Sequence, residues 1–141
     1  MRRFVDTNVL VYAYDGAEPA KRAVAVELLT DLWERREGAI STQVLQEFFV
    51  TVSGKWRERA IAVDGRAVVE LYNEWNPFAP AGPDVLEAID LSKRHQVSYW
   101  DSLILVAAAK SGAEVLLSED LNHGQMIEGI RIENPFASIV S

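Results

Sequence analysis

Short apolar stretches alternate along this chain with longer amphipathic ones, and that alternation limits the folds open to it more than any other feature. Arg3 to Asp6, Gly38 to Ser41, Glu114 to Ser118 and Ile130 to Glu133 read as strands, each bounded by polar residues. Helical periodicity fills the intervals: Asn8 to Tyr14, Pro19 to Arg36, Thr42 to Trp56, Gly65 to Trp75, Asp84 to His95 and Trp100 to Ser111. Pro19 suits a first helical position, and Gly112 suits the close of the last helix. A crossover between parallel strands needs about a dozen residues or more, so strands spaced by such helices pair in parallel. The expected fold is α/β, a three-layer α/β/α sandwich on a short, mostly parallel sheet. Asn76 to Pro83 holds three prolines and a glycine in eight residues and reads as a loop. It is too short to divide the chain, and 141 residues make one core of ordinary size, so residues 1–141 are expected to form a single domain.

Composition then removes whole classes of chemistry. With no cysteine there is no thiolate zinc site, disulfide or cysteine nucleophile, and two histidines, His95 and His123, are too few for a histidine-rich metal site. A metal must be held by oxygen. No apolar run approaches the roughly 20 residues that span a bilayer, and Arg2-Arg3 leads into Phe-Val-Asp rather than a signal-peptide core, so a cytoplasmic location is expected. No glycine-rich phosphate loop and no G-x-S-x-G elbow occurs. The net charge of −7 argues against a protein that meets RNA, since affinity for phosphates comes from cations. Two bound divalent cations would bring it to −3, and the first 75 residues carry ten of the fourteen basic side chains. Lys55, Arg57 and Arg59 form their densest run, a candidate RNA contact where Trp56 could stack on a base.

Open parallel sheets bind ligands at the carboxyl ends of their strands, where strand order reverses. Asp6 ends the first apolar stretch, and Asp120 follows the third through Ser118-Glu119. Asp101 stands in the first turn of a helix apolar on every side, where Ser98-Tyr99-Trp100-Asp101 also fits a capping box. Glu47 falls outside the stripe of Val44, Leu45, Phe48, Phe49 and Val52; its periodicity alone reads as solvated, while its place one turn into the helix lets it lean over the same edge. Four carboxylates on one edge repel one another unless a cation compensates, and hard oxygen donors suit Mg²⁺ or Mn²⁺. Such an ion activates water and stabilises the leaving oxygen of a phosphodiester. Thr7, Asn8 and Ser118 are placed to orient the acids, or equally to cap turns and helices. His123 reads as a turn residue, and the tryptophans as core or interface anchors.

Taken in order, Phe4-Val5-Asp6-Thr7-Asn8-Val9-Leu10, Gln46-Glu47-Phe48, Tyr99-Trp100-Asp101-Ser102-Leu103-Ile104 and Leu117-Ser118-Glu119-Asp120-Leu121-Asn122-His123-Gly124 resemble the PIN-domain ribonucleases, and more narrowly the VapC-type toxins of toxin–antitoxin pairs. Asn134-Pro135-Phe136 resembles the family's closing segment. The resemblance implies a Mg²⁺- or Mn²⁺-dependent endoribonuclease with its acidic quartet at Asp6, Glu47, Asp101 and Asp120, a homodimer restrained by a cognate antitoxin. Ser118 stands where the family often has threonine. Two other readings compete. A haloacid-dehalogenase-type phosphatase wants an acid two residues after its nucleophile, where this chain has Asn8. A catalytically silent RNA- or protein-binding module would gain nothing from four acids at its binding edge.

Overall fold

The computed structural model describes residues 1–54 and 63–139; Lys55, Trp56, Arg57 and Arg59 lie outside them. Its centre is a five-stranded sheet in the order β2-β1-β3-β5-β4, formed by β1 (Arg3–Val5), β2 (Gly38–Ala39), β3 (Val115–Leu117), β4 (Met126–Ile127) and β5 (Ile130–Glu133). The first four in spatial order run parallel, with Arg3, Phe4 and Val5 opposite Val115, Leu116 and Leu117. Only β4 is antiparallel, closing a hairpin on β5. All three residues of β3 are buried, so both sheet faces are covered, and this is why the strand is an unbroken apolar run rather than an alternating one. The helices are α1 (Thr7–Tyr12), α2 (Pro19–Arg35), α3 (Thr42–Ser53), α4 (Gly65–Tyr72), α5 (Gly82–His95) and α6 (Tyr99–Lys110). Helix α5 packs along α6, while α1 packs against α2 and α3, and α3 against α4. The layered, mostly parallel α/β fold expected from the sequence is the one observed.

Boundaries shift where a side chain has a second task. Arg3 to Asp6 ends as a strand at Val5 because Asp6 turns to cap α1, accepting from Thr7 N at 2.7 Å. Gly38 to Ser41 shortens to two residues because Ser41 caps α3, and its backbone bridges to Phe78. The expected loop Asn76 to Pro83 is therefore partly ordered: Phe78 extends the sheet edge, and Gly82 with Pro83 opens α5, whose fixed φ suits a first turn. Helix α4 stops at Tyr72, and a 3-10 turn covers Asn73–Trp75. Ser111 caps α6, and Gly112 follows it with φ +74°. The hairpin strand β4 was not expected; it turns through Glu128 and Gly129, both at positive φ. No helix of the described residues is long and apolar enough to cross a membrane.

Candidate active site

Strand β1 connects to β2 on one side, and the chain later returns to β3 on the other, so the strand order reverses around β1. Asp6 follows β1 and Asp120 follows β3, one on each side of the crevice such a reversal leaves. Helix α3 brings Glu47 and the first turn of α6 brings Asp101 to the same place. The four carboxylates line one cleft of about 410 Å³, together with Thr7 and Gln43.

Asp6 is the deepest member, with only 5% of its surface exposed. Ser118 Oγ donates to its Oδ2 at 2.7 Å, and Thr7 N donates to its Oδ1. Burial nevertheless pushes its carboxyl up to about 7; those two hydrogen bonds pull it back only in part, and the charges of Asp120 and Glu47 raise it further. Asp101 is also raised, by burial first and by Asp120 second, against the pull of Ser98. Ser98 Oγ accepts from Asp101 N at 3.2 Å, which is the Ser98 half of the expected capping box, and the Asp101 carboxylate lines the cleft. Glu47 is exposed, as its periodicity required, but Thr7 Oγ1 donates to its Oε1 at 2.8 Å and holds it over the cleft. Phe49, placed in the apolar stripe by periodicity, is instead 46% exposed.

Ser118 is fully buried and works in two directions, donating to Asp6 and accepting from Asp120 N at 3.1 Å. Asn8 acts through the backbone: its Oδ1 accepts from Glu119 N at 3.2 Å and so braces the turn carrying Asp120. His123 is a turn residue, its Nδ1 accepting from Asn134 N. Trp100, read as a core or interface anchor, lies outside the core, 62% exposed on the cleft rim. Gln43 escaped the sequence reading. It lines the cleft, its Nε2 donates to Trp100 O at 3.3 Å, and its buried Oε1 has no partner among the described residues. Its signal was present: Gln43 lies four residues before Glu47, on the same helical face.

The donor set is all oxygen, and burial above all raises the carboxyls of Asp6 and Asp101, a cost that a cation would offset, so the residues fit Mg²⁺ or Mn²⁺ in kind. Among the described residues no three acids already converge as a finished cage.

A second cavity, of about 670 Å³, opens at the amino ends of the strands, lined by Arg2, Arg36 and Lys110 beside Trp33 and Trp75. Its cations have a local purpose, because this is where α2 and α6 end and expose carbonyls; Arg2 Nη1 donates to Ser111 O at 3.2 Å.

The sequence matches the family described as PIN domain over residues 3–127. No curated protein matches it. Among solved structures, VapC20 of Mycobacterium tuberculosis, a sarcin-ricin loop cleaving toxin, shares 19% identity at a TM-score of 0.60 over 84% of this chain and 91% of that one. VapBC2 from Rickettsia felis, bound to a DNA fragment from their promoter, shares 19% at a TM-score of 0.61 over 95% and 98%. At such identities the likeness is one of fold. The mostly parallel sheet and a family match that runs through β1, all six helices, β3 and β4 together establish that the chain belongs to the PIN domain family.

Proposed function

We propose that the protein is a Mg²⁺- or Mn²⁺-dependent endoribonuclease, the toxin of a VapBC-type toxin–antitoxin pair, acting in the cytoplasm as a homodimer. The observation that carries the reading is the meeting of Asp6, Glu47, Asp101 and Asp120, from four separate segments, in one cleft at the reversal of strand order. Family membership and the likeness to a cleaving toxin support it.

The four carboxylates would hold the metal, which supplies an activated water and charge stabilisation at the leaving oxygen. The protein's own part is orientation and proton control. Ser118 and Thr7 N fix the two oxygens of Asp6, and the Thr7 hydroxyl fixes Glu47. With its carboxyl near 7, Asp6 holds a proton through much of the neutral range, which a bound cation would displace. The acidic apo cleft would attract an antitoxin segment bearing arginine in place of the metal.

The test is to incubate the purified protein with transfer, ribosomal and messenger RNA in Mg²⁺, Mn²⁺ or EDTA and to map the ends. Hydrolysis by activated water leaves 5′-phosphate and 3′-hydroxyl ends and stops in EDTA. Cyclic 2′,3′-phosphate ends in an EDTA-resistant reaction contradict the mechanism. RNA binding without cleavage, equal with and without metal, means a silent binding module, and turnover of p-nitrophenyl phosphate means a phosphatase.

A further inference from the structure

Glu119 stands beside Asp120 yet is engaged elsewhere. Lys21 Nζ, from α2, meets its Oε2 at 2.6 Å, and the Tyr12 hydroxyl, at the end of α1, donates to its Oε1 at 3.0 Å. Both oxygens are thus occupied. The ammonium also lies 4.7 Å from the Tyr12 ring centroid and 5.7 Å from that of Phe136, and those two rings meet edge to face at 5.1 Å. Side-chain exposures of 24% for Lys21 and 27% for Glu119 leave the pair mostly shielded from water, which strengthens it over a surface pair. The hydrogen bond to Glu119 accordingly raises the Lys21 ammonium above its ordinary pKa. The backbone of the same turn is pinned by Asn8 at Glu119 N and by Ser118 at Asp120 N. Phe136 belongs to a segment beyond the matched domain, which ends at residue 127; Asn134 N, from the same segment, donates to His123 of the loop that follows Asp120.

We infer that Lys21 is a positioning residue, which, seated beside the Tyr12 and Phe136 rings and gripping Glu119 together with the Tyr12 hydroxyl, holds the 118–120 turn so that Asp120 faces the cleft and the Glu119 carboxylate does not. This rests on the proposed nuclease reading only for its kinetic consequence. The structural part stands alone. A free Glu119 would add a fifth carboxylate at the rim of the four, competing with Asp120 for the same cation and loosening its geometry. Lys21→Met keeps the aliphatic stem against the two rings while removing the charge, so the packing survives and the grip is lost.

The experiment measures amide hydrogen exchange at Glu119 and Asp120 alongside Mn²⁺-dependent RNA cleavage, in wild type, Lys21→Met, Lys21→Arg, Glu119→Gln and the Lys21→Met/Glu119→Gln pair. Lys21→Met should speed exchange at both amides by about tenfold, because their hydrogen bonds then open locally. It should lower kcat by about tenfold with KM nearly unchanged, as expected for a misplaced group rather than a lost RNA contact. Lys21→Arg should recover most of both effects, and Lys21→Met should add little in the Glu119→Gln background. Unchanged exchange in Lys21→Met overturns the inference. So does a rise in KM with a shallower salt dependence at constant kcat, which would make Lys21 a phosphate contact. If exchange responds as stated but wild type cleaves no RNA in any metal, the clamp holds and the nuclease reading fails.

Discussion

Asp6 combines tasks that pull in opposite directions, since it is buried, caps α1 and faces two other acids. Its carboxyl is raised from 3.8 to about 7 in the folded state, so the folded protein holds a proton that the unfolded chain releases above pH 4. The stability this gives is complete below the unfolded value and is lost as pH rises through about 7. Metal-free wild type should therefore lose stability between about pH 4 and 7. Asp6→Asn, neutral throughout, should remove most of that slope and melt higher at pH 8 by about 1–2 kcal/mol of stability, read by thermal denaturation in EDTA. Apparent Mn²⁺ affinity should rise with pH through the same range, because the ion displaces the proton. Ser118→Ala strips Asp6 of its side-chain donor, leaving Thr7 N, and Asp120 N of its acceptor. About a tenfold loss of Mn²⁺ affinity is expected, with Ser118→Thr close to wild type by calorimetric titration.

Elements were legible where one physical demand ruled them. Strand β3 is a fully buried apolar run, β1 buries Phe4 and Val5 behind Arg3, and α6, buried from Ser102 to Ala108, is apolar all round, so their residues announced them. Three of the four acids were legible for the same reason, as polar groups at the ends of such elements. Glu47 was legible only from its place one turn into the helix, because a helix period reports what faces the core and says nothing of what a neighbouring hydroxyl does; its side chain is held by Thr7, 40 residues away. Lys21 lies 98 residues from Glu119, a pairing no local pattern carries. The β4 hairpin is two residues long and turns on Glu-Gly rather than Asn-Gly, so it left no signal. The edge strand β2 depends on a glycine: a Cβ on Gly38 would run into the six-membered ring of Trp75, which packs with Trp33 and Tyr72. Gly38→Ala should cost about 1–3 kcal/mol in denaturant unfolding and leave metal affinity unchanged, since β2 meets the cleft only through α3.

Over the whole molecule, charge and site geometry form one argument. A chain of net charge −7 is a poor RNA binder until its acids are neutralised, and the four that would be neutralised by metal are those brought into one cleft. Metal should thus promote both RNA association and cleavage, and it should stabilise the fold by mass action. The most direct measurement of this account is Mn²⁺ affinity, with cleavage measured beside it, for wild type and for Asp6→Asn, Glu47→Gln, Asp101→Asn and Asp120→Asn. Glu70→Gln, in an exposed pair with Arg66, is the control. Each of the four should bind Mn²⁺ at least about tenfold more weakly and lose cleavage, while the control matches wild type. Wild-type affinity in the four variants, or cleavage that survives in EDTA, would contradict the account.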